Sequence, residues 1–470
     1  MVSNRVREGS PLTVIEAAGD YAYGLVLGRR YGDAYRKILR HTRPLRADSL
    51  RHREKTLAQF YPRALERLEG LARSAGLERN RLLSAGPGNP FPAPACTNFA
   101  AVPPATRDGR AFLNWNLDLP RWWRNFMGRF PFYVRRIKGC KSYLCIDHSF
   151  MGLPLTYGFG LMNSEGLSCV YNAVGMTDGG DGLTFFELNN MMMEEHADVA
   201  GAVSVMEANP RFVLPGQASA IMLNANLLVG DARGDAALIE YSHHHLEVTP
   251  ASRFDGLLAS TNHHQFIDRA ETGSVDPAAE PLISGSYARL ARAWDLLRSH
   301  HGGIDPAVAQ AITSDHGCDY GPLREYGIER RWYEERIDDS TICAHPWNFW
   351  NHIKRRDFEA ALVERIVSYT LYGILLEPKR CTMWFHPGHP CRNRFRPYWL
   401  GDVLEMPHAT QARTELEYEP DPGIAYGNKD GRGRIFTRPL SDPPLAEKLR
   451  GMLMAYVAKQ EESLMNRERR

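Results

Sequence analysis

The feature that most constrains this chain is an abrupt change of character at residue 96. Upstream, the first ninety-odd residues read as helical. In the run from Tyr61 to Leu77, Leu65, Leu68, Leu71 and Ala72 recur at helical spacing, and Gly76 is placed to end the helix. Then comes Gly86-PGNPFPAPA, with four prolines in ten residues. Proline disfavours helix for itself and for the residue before it, so this stretch is expected to be an extended, exposed loop. It runs directly into Cys96.

Downstream, short apolar runs flank turn signals, and each pair reads as a β-hairpin. Residues 97–102 and 111–119 flank Thr106-RDG; 155–161 and 167–174 flank Asn163-SEG. Residues 220–229 and 236–240 flank Asp231-ARGD; 368–376 and 381–385 flank Glu377-PKR. Helical patterns lie between them, at Phe185 to Glu207, Ser286 to Arg298 and Pro306 to Ser314. The last has Asp305 as its cap and proline in its first turn. Hairpins grouped around helices predict stacked antiparallel sheets covered by helices, an α+β fold. Beyond about residue 400 the pattern weakens: Glu415 to Gly433 is polar and turn-rich, and Leu445 to Arg470 is expected to form an amphipathic helix.

Charge narrows the function classes. Lys plus Arg (57) and Asp plus Glu (55) nearly cancel, leaving +2. Neither a nucleic-acid nor a membrane partner is expected from that balance. The N-terminal residues lack an apolar signal core, and the eight cysteines show no paired metal spacing, so a reduced, cytoplasmic protein is expected. His243-His244-His245, His300-His301 and His386-x-x-His389-x-Cys391 contain metal-ligand residue types. Strand alternation splits the first cluster between two faces, and the prolines and glycine of the last suggest a turn. No metal and no cofactor is expected. Met191–Met193 reads as core.

The run Cys96-TNFAAVPPATRDGRAFLNWNLDL places a cysteine at the start of a strand whose hairpin returns through Asn116 and Asp118. This resembles the opening of the N-terminal nucleophile (Ntn) hydrolases, and within them the acyl-coenzyme A:6-aminopenicillanate acyltransferase family. Cholylglycine hydrolases and acid ceramidases are more distant relatives. The similarity continues in order through Glu8-GSP, Gly24-LVLGRRYG, Gly160-LMNSEGLS, Ala225-NLLVGDARGDAALIE, Leu258-ASTNHH, Ser286-YARLAR and Pro387-GHPC.

The resemblance implies a four-layer αββα sandwich with a helical leader (1–95), a catalytic domain (96–400) and a C-terminal extension (401–470). It implies autoproteolysis between Ala95 and Cys96, with the leader fragment remaining as a partner. Cys96 would be the nucleophile and Asp118 would help hold its amine and thiol. Asn226, five residues before Asp231, would serve the oxyanion hole in preference to Asn224, and Arg289 would lie near the active centre. Trp115 stands where cholylglycine hydrolases carry arginine, implying a more apolar substrate wall. Asn116, Asn262 and His263 are candidate substrate-binding residues, and Thr261 accompanies them. Many relatives have glycine before the cysteine; this chain has Ala95.

The chemistry fits one residue carrying both roles. An α-amine with a pKa of about 7.7–8.0 supplies a base at neutral pH, and a thiol near 8.5 supplies the nucleophile. Before cleavage that nitrogen is an amide without basicity. The expected activity is hydrolysis of a linear amide, with acyl transfer from an amide or acyl-thioester to an amine as the alternative. A catalytically silent binding protein is the second alternative.

Overall fold

Cys96 sits near the start of the second strand of a two-sheet structure. The computed structural model describes residues 12–39, 45–84, 95–120, 132–146, 158–213, 224–273, 284–318, 341–344, 349–358, 361, 368–391 and 395–406. The loop at 86–94, the outer parts of two hairpins (155–157 and 220–223), Glu8-GSP and the tail beyond 406 lie outside the described residues.

The first sheet has eight strands in the order β1 (Thr13–Ala17), β4 (Phe132–Ile137), β5 (Tyr143–Ile146), β6 (Phe159–Asn163), β7 (Ser168–Ala173), β8 (Ala225–Gly230), β9 (Ala236–Tyr241) and β10 (Leu246–Pro250). The second has six, in the order β11 (Leu257–Ser260), β2 (Ala95–Ala101), β3 (Phe112–Pro120), β12 (Ser368–Glu377), β13 (Thr382–Pro387) and β14 (Arg396–Trp399). The four expected hairpins are present as β2–β3, β6–β7, β8–β9 and β12–β13. Their turns have local causes. Asn163 Oδ1 accepts from the backbone N–H groups of Glu165 and Leu167, and Asp231 Oδ1 from those of Arg233 and Asp235.

Alternation along β2 and β3 separates two cores. Cys96 and Ala100 pack with Leu113, Trp115 and Leu117 in the main core, where β2 and β3 meet β7 and β8 of the other sheet. Phe99, Ala101 and Phe112 belong to a second core beneath two helices, α8 (Ser284–Ser299) and α9 (Pro306–Thr313), which supply Ala293, Leu297, Ala309 and Ile312. As expected, Asp305 caps α9, accepting from Val308 N at 2.9 Å. A short α7 (Arg269–Thr272) precedes α8.

The expected helix over 185–207 is two helices, α5 (Phe185–Glu195) and α6 (Val199–Ala208), which pack on the first sheet. The break follows from Asp198, whose carboxylate caps α6 by accepting from Gly201 N, with His196 extended. Met191–Met193 are buried, as core.

The residues before Cys96, here called the leader, contain α1 (Asp20–Leu39), α2 (Ala47–Phe60), α3 (Pro62–Ala75) and α4 (Arg79–Ser84). Gly76 ends α3 in the left-handed conformation, as its position predicts. The reading of this region as wholly helical needs correction. Residues 13–17 form β1, an edge strand parallel to β4, with Ile15 opposite Arg135. Five residues are too few for periodicity to announce a strand, and its partner lies over a hundred residues away. Helices α1 and α3 meet backbone to backbone: a Cβ at Gly24 would lie 2.1 Å from Arg67 O, and one at Gly70 would lie 2.1 Å from Tyr21 O.

Charge locks the leader to the first sheet. Arg67 on α3 pairs with Asp20 at 2.6 Å and with Glu194 on α5 at 2.7 Å. Glu194 also accepts from Tyr61 at 2.9 Å and from Tyr143 at 2.7 Å, and Arg135 lies 3.5 Å away. Burial alone would raise the Glu194 carboxyl; Arg67, then Arg135 and the Tyr143 hydroxyl, outweigh it and hold it below its usual range. A second buried pair joins Arg53 on α2 to Glu187 on α5. At the other end, Leu400 and Leu404 are buried, and Arg136 Nη2 donates to Val403 O at 2.7 Å. No described helix is long and apolar enough to cross a membrane.

Removing one partner from a buried ion cluster leaves the others uncompensated, at a cost of about 3–5 kcal/mol. Arg67→Met should therefore lower the urea midpoint severely, whereas Arg51→Met, at an exposed pair with Asp48, should leave it almost unchanged. Equal effects from the two substitutions would show that the cluster does not carry the leader.

Candidate active site

Cys96 is fully buried, and its backbone N–H donates to Asn262 Oδ1 at 2.8 Å. That oxygen also accepts from Arg289 Nη2 at 2.8 Å, while Asn262 Nδ2 donates to Ala173 O at 3.0 Å. The Asn262 amide is thus fixed in orientation by three partners, one on α8 and one at the end of β7. Its own N–H donates to Ser286 Oγ at 2.8 Å, tying it again to α8.

Burial pushes the Cys96 thiol up to about 12, and the negative charge of Asp118 adds to the rise. The Asp118 backbone, the Trp115 side chain and the positive charge of Arg289 act in the opposite direction. The thiol is therefore protonated at neutral pH.

Register separates the residues of the Cys96 hairpin. Cys96 stands opposite Leu117, whereas Asp118 stands opposite Ala95 and shares its strand parity with Asn114 and Asn116. Asp118 Oδ1 accepts from Thr370 Oγ1 at 2.6 Å, and that hydroxyl accepts from Ala344 N at 3.0 Å. Asn116 is committed elsewhere: its Nδ2 donates to Thr313 O at 2.9 Å and Ile342 O at 3.0 Å, on the helix side of β3. That placement sets it apart from the Cys96 side chain. Trp115 is fully buried beside Tyr171 (ring centroids 4.8 Å apart), Tyr372 (6.2 Å) and Phe159 (6.4 Å).

Asn226 lies on β8, which packs against β2, and its Nδ2 donates to His263 O at 3.1 Å. Asn224 precedes the strand, and its carbonyl accepts from Val174 N. Directly across from Asn226 is Asn172, absent from the sequence reading, whose Nδ2 donates to Ser260 Oγ at 2.8 Å. The Oδ1 atoms of Asn172 and Asn226 and both amide atoms of Asn98 on β2 are buried without partners among the described residues. Buried polar atoms left unpaired are costly, and these three asparagines lie on strands that pack together, β2 against β7 and β8. No sequence signal singles out Asn98 or Asn172, since a strand asparagine is as often satisfied by backbone.

His263 stacks on Tyr287 at 3.7 Å, and its Nδ1 lies 2.8 Å from Ser286 Oγ and 3.2 Å from Thr261 Oγ1. Burial, and then Arg269, hold its imidazole well below the usual range, and the same causes bring His264 down to about 3. Both are neutral at physiological pH, so neither supplies a cation to the site.

A model of the acyl-coenzyme A:6-aminopenicillanic acid acyl-transferase family matches residues 140–326. Over this stretch the chain is similar to that family. The matched part holds Asn226, Asn262, His263 and Arg289; Cys96, Trp115, Asn116 and Asp118 precede it. The match supports an enzyme of acyl-transfer or hydrolase type. No curated protein matches. Among solved structures, the chain is similar to penicillin V acylase from Agrobacterium tumefaciens, at 16% identity over 62% of this chain and 83% of that one, with a TM-score of 0.33. It is also similar to two altered forms of conjugated bile acid hydrolase from Clostridium perfringens. One is 11% identical over 64% of this chain and 96% of that one (TM-score 0.31). The other is 12% identical over 71% and 100% (TM-score 0.35).

A histidine buried neutral binds its proton in the unfolded chain first, near pH 6.5, so folding stability should fall as pH drops from there toward the folded value. For His264 that window runs from about 6.5 down to about 3. His264→Gln should flatten the loss of urea stability between about pH 7 and about pH 5. An unchanged slope would mean that His264 titrates alike in the folded and unfolded chains.

Proposed function

We propose that the chain is an Ntn amidohydrolase whose nucleophile, Cys96, is released by cleavage after Ala95, within a four-layer αββα catalytic domain. The observation that carries this reading is the hydrogen bond from Cys96 N to Asn262 Oδ1, held in turn by Arg289. A backbone nitrogen at the start of a buried strand is here given a fixed side-chain acceptor. That arrangement suits a free amine.

In the first reaction the Cys96 thiol attacks the Ala95 carbonyl. The acyl group moves from nitrogen to sulfur, the nitrogen takes a proton, and water hydrolyses the thioester to leave a carboxylate at Ala95. The freed amine then lies beside the thiol. In its protonated form it draws the thiol pKa down from the raised value of the uncut chain, and in its neutral form it accepts the thiol proton. The thiolate attacks the substrate amide, the proton passes to the leaving amine, and the resulting thioester is resolved by water.

Asn226 has one Nδ2 hydrogen on His263 O and a second for the oxyanion. Arg289 acts by orienting Asn262, and Asp118, held by Thr370, fixes the strand end next to the nucleophile. The aromatic group of Trp115, Phe159, Tyr171 and Tyr372 favours an apolar acyl chain. The leader, 1–95, stays bound through β1 and the Glu194 cluster, and residues beyond 400 form an extension.

Wild-type protein should run as fragments of about 11 and 42 kDa, dividing 53.1 kDa by residues on either side of the cut. The larger should begin Cys-Thr-Asn-Phe on N-terminal sequencing. Cys96→Ala should remain one chain with no amidase activity, since the thiol is needed for both reactions. Fully active wild-type enzyme that proves uncut would sink this mechanism.

Asn226→Ala should lower kcat by a factor of about 10²–10³ with the fold intact, because the lost donor acts on charge that develops in the transition state. A change within about threefold would move the role to a backbone donor or to Asn172.

A further inference from the structure

Away from Cys96, three residues distant in sequence come together: His316 after α9, Cys343 in the segment 341–344, and Cys391 after β13. One ring nitrogen and two Sγ atoms all lie within 4.8 Å of one another. Cys343 is buried, and His316 and Cys391 are exposed. The histidine that sequence spacing associates with Cys391 is not part of this group. His386 is buried with its ring edge-on to Phe395 at 4.4 Å.

Two thiols and an imidazole are the donor set of a soft or borderline divalent cation. With Zn–S near 2.3 Å, two thiolates on a tetrahedral zinc stand about 3.8 Å apart, so these donors need close by only about 1 Å. Two of the three sit at the surface, where such a movement costs little. A fourth position would remain open to water. Burial raises the Cys343 thiol above its ordinary range, so it is protonated until a cation displaces the proton.

We propose that His316, Cys343 and Cys391 bind a divalent cation of the zinc type, which braces segment 341–344 behind Asp118. The connection is short. Ile342 O holds the Asn116 amide, Cys343 N donates to Asp315 O at 3.0 Å, and Ala344 N donates to Thr370 Oγ1 at 3.0 Å. Thr370 N returns a bond to Ala344 O at 2.7 Å, and its hydroxyl donates to Asp118 Oδ1. A cation on Cys343 would therefore join three separate parts of the chain one residue from Ala344, which holds Thr370 and through it Asp118. The cation takes no part in the reaction at Cys96; it is a structural brace.

The test is titration of the reduced full-length protein with Co²⁺, whose thiolate charge-transfer and tetrahedral d–d absorptions report sulfur ligation directly. One equivalent should bind and be displaced by Zn²⁺. Cys391→Ser and His316→Ala change exposed positions, and each should weaken binding by about tenfold or more. Cys96→Ser should bind as wild type does, which keeps the measurement independent of the nucleophile. Absence of a thiolate band, or a band undiminished in both Cys391→Ser and Cys343→Ser, would overturn the site. A Cys343–Cys391 disulfide in protein isolated without reductant, with no cobalt binding after reduction, would overturn it in favour of a redox pair.

Discussion

Glu194 is the residue on which the arrangement of this molecule depends most. A carboxylate buried at the end of α5 would be intolerable alone. It is made tolerable by Arg67 and the Tyr61 hydroxyl from the leader, Arg135 from β4 and the Tyr143 hydroxyl from β5. Because the compensating charges come from opposite sides of residue 96, neither side completes the cluster by itself. The close backbone contact of α1 with α3 at Gly24 and Gly70 then fixes where Arg67 stands. The residues before Cys96 are built into the fold through this buried cluster.

That constraint bears on the site through the sheets. The first sheet, anchored by the leader, presents Asn172 and Asn226 toward β11 and the turn after it. The second sheet holds Cys96 between β11 and β3. Asn262 leaves β11 at the point where the two sheets meet and collects bonds from Cys96, Arg289 and Ala173. Burial meanwhile keeps the thiol protonated, a shielded group rather than a reactive thiolate.

Much of this was legible in the chain itself. Hairpins announce themselves because their turns are local: Asn163 and Asp231 bond backbone groups two to four residues away, whatever the rest does. The caps of α3 and α9 are local for the same reason. Cys96 was legible because a proline-rich run ends on it. The division of 185–207 into two helices was missed although Asp198 is a local cap, since apolar residues continue through the break. Strand β1 was missed because what makes it a strand is β4.

What the sequence by itself determined is the α+β pattern, the place where it begins, and the residue types available for acyl chemistry. Tertiary structure alone decided which of those residues meet. It set Asn116 to holding the helix side of β3, joined Asn262 to both Cys96 and Arg289, and raised Asn98 and Asn172 to candidates. It also separated His386 from Cys391 and placed Cys391 beside Cys343 and His316. The physical reason is the range of the forces. Turn and cap bonds close over a few residues and are written in spacing, whereas the partners of a buried polar side chain are set by which strands and helices the cores bring against it.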